Sequence, residues 1–435
     1  MRTAEIPGEV AKAIVDPTAY AHEERINEAF AWLRSNDPVA LIEAQGFDPF
    51  WAITKHADVQ EVGRNPDLFH NADRQATLID IAGDERIRQM TGGSPHLIRS
   101  LVQMDPPEHP KYRNLAVEWF MPKNVNRLEE RIRGIAQAAI ERMREKGGEC
   151  DFVKDVALGF PLHVIMEILG IPEEDEPRML QLTQELFGVQ DTELGRGGES
   201  GDPLEHAEGL AAVVADFNTY FQAITEDRRK NPRDDLASVI ANGTIDGEPM
   251  GDFETLCYYM LVATAGHDTT SSSISGGVWA LCEAPGEFEK VRSDPALIPR
   301  LVSESIRWVT PVKHFMRTAT ADAEIRGRRI ARGDWMMLCY LSANRDEEAF
   351  EEPFKFKADR NPNKQLAFGY GAHLCLGQHL ARLEMRIFFE EFFKQIESIE
   401  LAGQPKRSAA TFANGPKTVP LRYRFVQSAT RASTN

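Results

Sequence analysis

The segment Phe368-Gly-Tyr-Gly-Ala-His-Leu-Cys-Leu-Gly377 decides the fold of this chain of 435 residues. Its three glycines allow tight turns and let the backbone approach a flat ligand closely. Cys375 stands just before an amphipathic helix that is predicted to start near Leu376. Because the positive end of a helix dipole lies at that point, we expect a lowered pKa for the Cys375 thiol and a stabilised thiolate.

The residues around Cys375 leave several kinds of site open. A buried structural cysteine at a glycine-rich turn needs no further pattern. A zinc site could draw on His373, Cys375 and His379, but zinc needs a fourth ligand and usually a Cys-x-x-Cys or His pair, which the segment lacks. A nucleophilic cysteine needs a base, and the sequence singles none out. The segment alone therefore predicts a structural thiol, a metal ligand or a nucleophile.

The composition narrows the class of protein. Against 50 basic residues stand 67 acidic ones, and the net charge of −17 disfavours nucleic acid and membrane surfaces as partners. The five cysteines are odd in number and widely spaced, which favours a reducing cytoplasm over a disulfide framework. The apolar stretch 255–282 carries Asp268 at its centre, where a charge in lipid is costly. We therefore expect a cytoplasmic protein without a signal peptide, in which this stretch is a buried helix.

Hydrophobic periodicity predicts a mainly α protein with minor β structure, the α+β class. Helices are expected over about 110–310 and 376–398. Sheet-rich parts are expected at about 38–60 and 310–345. No repeat or linker divides the sequence, so we expect one domain over residues 1–435.

Shorter signals refine this prediction. Two strands are expected at 40–43 and 50–54, and a hairpin at 323–334 leads into an apolar strand at 335–341. Gly170-Ile-Pro172 predicts the end of a helix. Residues 190–209 are rich in glycine and acidic side chains and are expected to form a loop.

Four fixed positions now make the comparison with a known family specific. Phe368, Gly371, Cys375 and Gly377 match the haem-binding pattern Phe-x-x-Gly-x-x-x-Cys-x-Gly, so the chain resembles the cytochrome P450 family. The resemblance extends from about residue 30 to 425, and within the family to soluble bacterial members that oxidise monoterpene alcohols such as α-terpineol. It implies the cytochrome P450 fold, with haem b between the long central helix and the helix after Cys375. Cys375 would then be the axial ligand of the haem iron, and its thiolate would favour O–O cleavage.

A glutamate and two arginines resemble the structural ion set of the family. Glu304 and Arg307 are three residues apart in a helical context and therefore share one helix face. An exposed helix pair would have the same spacing, so the motif alone is weak. The resemblance adds Arg360 and implies a buried network that holds the loop before Cys375.

The centre of the long helix carries a run of polar residues. Hydroxyl side chains are dense from 264 to 275, a poor choice for a helix interior, and such local conflicts point towards function. The alternative is a kinked core helix with one buried polar pair. The resemblance implies that Ala265 and Gly266 contact the cofactor. It also implies that Asp268 and Thr269 are the catalytic acid–alcohol pair that guides protons to bound oxygen.

The resemblance also supplies the remaining contacts. It implies cofactor-binding roles for residues that pair with the haem carboxylates or flank its ring: His109, Arg113, Arg317, His373, Phe368, Gly369 and Gly377. Substrate contacts are expected in the loop 96–104 and at a set of apolar positions: Leu261, Val262, Ala265, Val312, Phe315 and Phe412.

These residues predict a monooxygenase that inserts one atom of O2 into a C–H bond of a small hydrophobic substrate, a monoterpene such as a terpineol or a monocyclic or aromatic hydrocarbon. Electrons are expected from an iron–sulfur ferredoxin with its reductase, docking near Lys111, Arg113 and Arg382, and the protein is expected to be a monomer. The alternative is a haem-binding sensor or carrier without turnover, which would not need Asp268 and Thr269.

Overall fold

A computed structural model describes residues 5–188, 190–191, 193–196 and 203–427. Helices dominate and the sheets are small, so the predicted α+β class is confirmed. In chain order the α-helices are α1 Gly8–Val15, α2 Pro17–Ala21, α3 Glu23–Asn36, α4 His56–Arg64, α5 Ile81–Met90, α6 Glu108–Asn114, α7 Pro122–Val125, α8 Glu129–Glu145, α9 Gly159–Leu169, α10 Glu176–Phe187, α11 Pro203–Lys230, α12 Leu236–Ala241, α13 Asp252–Ala265, α14 Asp268–Glu283, α15 Pro285–Ser293, α16 Ile298–Val309, α17 Tyr340–Ala343 and α18 Gln378–Gln395.

The strands are β1 Val39–Ile42, β2 Phe50–Ile53, β3 Phe69–His70, β4 Glu149–Asp151, β5 Thr244–Ile245, β6 Glu248–Pro249, β7 His314–Ala319, β8 Ala323–Ile325, β9 Arg328–Ile330, β10 Trp335–Cys339, β11 Ile396–Leu401, β12 Lys406–Arg407, β13 Pro416–Thr418 and β14 Pro420–Phe425. Turns of 3₁₀-helix lie at Leu101–Gln103, Val117–Phe120, Asn126–Leu128, Glu173–Asp175, Pro295–Leu297 and Gly371–His373, and Val153–Ala157 form a π-helix.

The main sheet has the strand order β1-β2-β10-β7-β3. Its pairs are antiparallel except for β2 with β10, which run parallel. The first two strands and the β8–β9 hairpin were predicted from the sequence. Strand β10 ends at Cys339, two residues earlier than predicted, because Tyr340 begins the short helix α17.

A second sheet, with the order β11-β14-β4, lies outside the predicted sheet-rich regions. The helix predicted over 376–398 ends at Gln395, and Ile396 starts β11. The pairing of β11 with β14 spans most of both strands, and such long-range pairing outweighs the weak helical pattern of residues 396–398. Helices α1 to α5 also lie before the region in which helices were expected.

The loop predicted over 190–209 is wrong for residues 203–209, which belong to helix α11. Pro203 is the first residue of α11, and proline suits the first position of a helix because the amide hydrogen there has no partner in any case. Residues 192 and 197–202 lie outside the described residues. The helix stop predicted at Gly170 is confirmed, since Gly170 follows α9 with φ of 68°. None of the helices described is long and apolar enough to cross a membrane.

The core brings the central and C-terminal helices together. Helix α18 packs on α8 and α16, and α14 packs on α16. Phe388 and Phe389 of α18 and Ile274 of α14 are fully buried in this core, where each large apolar side chain contributes about 1.5–3 kcal/mol to stability. This packing fixes helices α13 and α14 opposite the segment that contains Cys375.

Candidate active site

A large internal cavity lies between helices α13 and α14 on one side and the segment 367–377 with α18 on the other. The sulfur-bearing Cys375 lines it, and so do Ala265, Gly266 and Thr269 from the opposite side. The cavity has a volume of about 230 Å³. Its lining runs from helices α13 and α14 to the segment that contains Cys375, so a ligand bound there would contact both walls.

The loop before α18 is held at several points. The backbone N–H of Cys375 donates to the carbonyl of Phe368 over 2.9 Å, and Arg113 Nη2 donates to the carbonyl of Leu374 over 2.8 Å. Gly371 has φ of +73°, and a Cβ there would lie 1.9 Å from the carbonyl oxygen of Gly63. Glycine at 371 is therefore required both by the backbone conformation and by close packing on α4.

The electrostatics at Cys375 differ from the sequence expectation. Burial raises the pKa of the Cys375 thiol, while the N–H groups of Gly377 and Gln378 and the guanidinium groups of Arg113 and Arg382 act in the opposite direction. The helix N-terminus is present, but in the protein alone it does not outweigh desolvation. The predicted lowering of this pKa is therefore wrong for the protein without a bound metal, and a coordinated metal ion would supply the missing positive charge.

Four basic side chains gather at one end of the cavity. His109, Arg113, Arg317 and His373 all line it, and the rings of His109 and His373 lie 4.2 Å apart between centroids. Burial, together with the neighbouring cations, lowers the pKa of His109 to about 4 and that of His373 to about 2. Burial also lowers the pKa of Arg113 and Arg317. The nearby carboxylate, Asp105, is already occupied by backbone N–H groups.

This cluster therefore has an excess of buried positive charge. Uncompensated buried charge is costly, and a ligand that carries carboxylates would remove that cost. Together with the Cys375 thiol, the cluster fits haem, whose two propionates are anionic. At Gly377 an added Cβ would meet no atom within 4 Å, so the wall beside Cys375 leaves open room for a planar ring.

Three further polar atoms on the cavity wall have no hydrogen-bond partner although they are buried: Asn71 Oδ1, Thr270 Oγ1 and Glu384 Oε2. Buried polar groups without a partner usually mark a missing ligand or water. The sequence interpretation missed all three. Glu384 left a signal, since it falls on the apolar stripe of α18, four residues after Leu380 and four before Phe388. Asn71 gave no such signal, and its Nδ2 lies 2.6 Å from His373 Nε2.

The long helix expected over 255–282 is broken at its centre. Helix α13 ends at Ala265 and α14 starts at Asp268, so Gly266 and His267 form the break. The Thr269 hydroxyl donates to the carbonyl of Ala265 over 2.9 Å and so bridges the break. Thr269 lines the cavity, whereas Asp268, the residue before it, is half-buried and is not among the lining residues. Burial raises the pKa of Asp268 to about 6, which makes it able to exchange a proton near neutral pH.

The structure brings Glu304, Arg307 and Arg360 together in the interior. Arg307 donates to both carboxylate oxygens of Glu304, from Nε and Nη2 at 2.7 Å each, and Arg360 Nε adds a third bond at 2.9 Å. Asn363 Nδ2 and the backbone N–H of Lys357 complete the set around the carboxylate. The arginines also donate to backbone carbonyls of residues 344–355, so the network ties α16 to the chain that leads to Cys375.

The apolar positions predicted for substrate mostly line the cavity. Leu261, Val262, Ala265, Val312 and Phe315 all do so. The predicted loop 96–104 and the neighbouring helices add further lining residues: Leu101, Val102, Phe120, Ile165 and Tyr258.

Phe412 is the exception among the predicted substrate positions. Its ring packs behind Phe315 and His314, with centroids 5.2 and 5.7 Å away, and it does not reach the cavity lining. A substrate contact at Phe412 therefore stays a prediction, and in this structure its ring supports Phe315, which faces the cavity.

The zinc alternative is not supported. Among the described residues, the metal-ligand grouping is that of His70, Asp73 and Asp105, and it does not include the trio of His373, Cys375 and His379. Cys375 is therefore a single thiol facing a large cavity, opposite a helix break and beside a cationic cluster.

Comparisons with known proteins agree with this geometry. The sequence model of the cytochrome P450 family matches residues 65–421. Cytochrome P450-terp from a Pseudomonas species is 49% identical over 423 residues, which are 97% of this chain and 98% of that protein. Linalool 8-monooxygenase from Pseudomonas putida is 31% identical and covers 90% of this chain and 94% of its own. The crystal structure of CYP108D1 from Novosphingobium aromaticivorans has a TM-score of 0.89 and 46% identity, covering 97% of this chain and 99% of that one.

Proposed function

Because the chain belongs to the cytochrome P450 family, we propose that it hydroxylates a monocyclic monoterpene alcohol at a haem held by Cys375. The chain is a cytochrome P450 monooxygenase that uses haem b, O2 and a redox partner, and this sets aside a sensor or carrier without turnover. The substrate, the electron donor and the role of each side chain are the proposed parts.

The cofactor would be held at its centre and at its edge. Cys375 would ligate the iron through Sγ, because its sulfur lines the cavity on a loop fixed by Arg113 and Phe368. Arg113, Arg317, His109 and His373 would face the two propionates, whose charge compensates the excess positive charge of the cluster. When bound, the haem supplies the oxidising chemistry that inserts one oxygen atom into a C–H bond.

The helix break would handle protons. Thr269 lines the cavity, and Asp268, its neighbour in sequence, is half-buried and so retains some contact with solvent. With a pKa near 6, Asp268 takes a proton from water on one side and offers it towards Thr269 on the other. Ala265 and Gly266 have small side chains or none, so they leave space at the cavity wall for O2 and the substrate.

The single observation that carries the substrate proposal is the apolar lining of the substrate end of the cavity. Leu261, Val262, Val312 and Phe315 offer no charge and no ordered polar partner, so a small hydrocarbon skeleton is favoured over a charged molecule. One relative of this chain, linalool 8-monooxygenase, points in the same direction, because linalool is a monoterpene alcohol. An alkylbenzene fits the same apolar wall, so the preference for a terpene alcohol rests on this relative, and the screen below includes both classes of compound.

We also propose that a ferredoxin is the electron donor, that the enzyme is a monomer and that it acts in the cytoplasm. The three cations predicted for the docking face are already engaged. Lys111 pairs with Asp246, Arg113 bonds the carbonyl of Leu374, and Arg382 lies over the Phe368 ring at 4.9 Å. Docking would therefore depend less on free charges at these three residues than the sequence suggested.

The experiment is a binding and turnover screen of the holoenzyme. We expect α-terpineol to produce a substrate-type shift of the haem absorption band, and to yield one hydroxylated product with NADH, a ferredoxin and its reductase. Alkylbenzenes and fatty acids serve as comparison compounds. Tight binding and turnover of a fatty acid or alkylbenzene, without any response to monoterpene alcohols, would overturn the substrate proposal.

A further inference from the structure

His267 occupies an unusual place in the fold. It lies in the break between α13 and α14, and its side chain is fully buried. Its Nε2 lies 3.0 Å from the carbonyl oxygen of Leu158. Leu158 is itself the junction between the π-helix Val153–Ala157 and α9. The His267 side chain therefore links the break between α13 and α14 to the junction between the π-helix and α9.

The partner fixes the protonation state of the ring. A carbonyl can only accept, so Nε2 carries the hydrogen, and the neutral ring leaves Nδ1 as an acceptor. Nδ1 is buried and has no partner in the described part of the chain. A doubly protonated ring would bury a charge with no carboxylate beside it. The arrangement selects one tautomer of a neutral histidine with a single directional bond.

The hydrogen bond between His267 and Leu158 lies directly before Asp268 and Thr269 in the chain, so it can affect where these two side chains lie. These two residues follow His267 directly, and the Thr269 hydroxyl bridges the break by donating to the carbonyl of Ala265. The N–H of Ser271 donates to the carbonyl of His267 over 3.0 Å. The first turn of α14 is therefore hydrogen-bonded to the same residue whose side chain bonds Leu158. Displacement of His267 moves the start of α14 and the two side chains on it.

We propose that His267 is a positioning residue, whose bond to Leu158 holds the helix break open and keeps Asp268 and Thr269 in register with the cavity. The inference rests on the proposed function, in which these two residues handle protons. No other side chain described in the structure bonds the Leu158 carbonyl from α13 or α14. Helix α14 also packs on the π-helix and on α9, but among the described side chains of this region only His267 bonds the Leu158 carbonyl.

Two substitutions separate this role from plain packing. H267Q places an amide N–H close to the position of Nε2, whereas H267F fills the same space without a donor. We expect H267F to divert NADH electrons to hydrogen peroxide on the order of tenfold more than the native enzyme, since displacement by 1 Å at a reacting group can lower a rate about a hundredfold. H267Q should stay within about twofold of the native peroxide yield, and both variants should bind α-terpineol with near-native affinity.

Two readouts do not depend on turnover. In ¹⁵N spectra of the reduced carbon monoxide complex, we expect His267 to be protonated at Nε2 and unprotonated at Nδ1 from pH 6 to 8. A crystal structure of H267F should show the contact between Thr269 Oγ1 and the Ala265 carbonyl lost or displaced, while H267Q should retain it.

The outcomes distinguish the possible failures. A native break and native peroxide yield in H267F, even with lowered stability, would overturn the positioning role and leave His267 as packing. A ring protonated at Nδ1 would overturn the proposed bond. If the native enzyme neither binds nor oxidises α-terpineol, the substrate proposal fails, and the ¹⁵N and crystallographic results still decide the positioning role.

Discussion

The change Glu304→Gln tests the buried ion network at its centre. The native carboxylate accepts from Arg307 at 2.7 Å twice and from Arg360 at 2.9 Å, and Glu304 and Arg307 are both 0% exposed. Burial alone would raise the pKa of Glu304, but the arginines hold it below its ordinary value. Glutamine keeps the shape and removes the charge, which leaves two buried guanidinium groups without an anion. Removing one partner of a buried ion pair costs about 3–5 kcal/mol, so we expect a loss of that size in the free energy of unfolding.

The chain contains its own matched control. Glu141 and Arg144 have the same three-residue spacing on a helix but are 58% and 45% exposed, and Glu141→Gln should cost less than about 1 kcal/mol. The assay is urea unfolding of the holoenzyme followed by its haem absorption. With a slope near 3 kcal/mol per molar urea, the Glu304→Gln midpoint should fall by about 1 M. If that variant does not fold, Arg360→Gln, which leaves the Glu304–Arg307 pair intact, should give an intermediate shift. Equal midpoints for Glu304→Gln and Glu141→Gln would refute the reasoning.

Three further predictions concern the cavity wall. Asp268→Asn should lower product formation by about a hundredfold and remove an inflection near pH 6, above which the native rate falls as Asp268 loses its proton; an inflection that persists in the variant would assign it elsewhere. Burial raises the pKa of Glu384 well above its ordinary value, so its favourable contribution to stability is full below the unfolded pKa and is lost as the pH rises. The Glu384→Gln side chain cannot ionise. Above about pH 5, the free energy of unfolding of this variant, measured in urea, should therefore rise relative to that of the native protein by about 1.4 kcal/mol per pH unit. The same pH dependence in both proteins would contradict this prediction. Arg317→Gln should speed haem transfer to apomyoglobin by about tenfold, while the exposed control Arg329→Gln should not; equal rates would exclude Arg317 from holding the haem carboxylates.

The sequence predicted the parts of the fold that depend on local chemistry. The strands near residues 40 and 50, the hairpin at 323–330, the stop at Gly170 and the start of α18 all carry turn or cap residues at fixed offsets. The C-terminal sheet was missed because its central strand β14 pairs with β11 on one side and on the other with β4, which lies more than 200 residues away. Pairing over such a distance leaves no periodic signal in either segment.

The site divides in the same way. The importance of Cys375 and of residues 265–269 could be predicted because each segment departs from local rules, one by its glycines and the other by its hydroxyl side chains. The break at residues 266–267 was not the expected structure, since the sequence indicated one buried helix over 255–282. The pKa of Cys375 could not be predicted because it depends on desolvation in the folded protein. The position of Phe412 could not be predicted because it depends on Phe315, which lies between Phe412 and the cavity. Asn71 and His267 act through partners at residues 373 and 158, and distance in sequence hides such contacts.

The carbon monoxide difference spectrum of the reduced holoenzyme tests the central claim most directly, because its band position reports whether a thiolate ligates the iron. We expect the thiolate band in the native protein and in Cys282→Ser, which alters the other partly exposed cysteine, and its loss in Cys375→Ser. A thiolate band that survives in Cys375→Ser, or that is absent from native protein loaded with haem, would contradict the account.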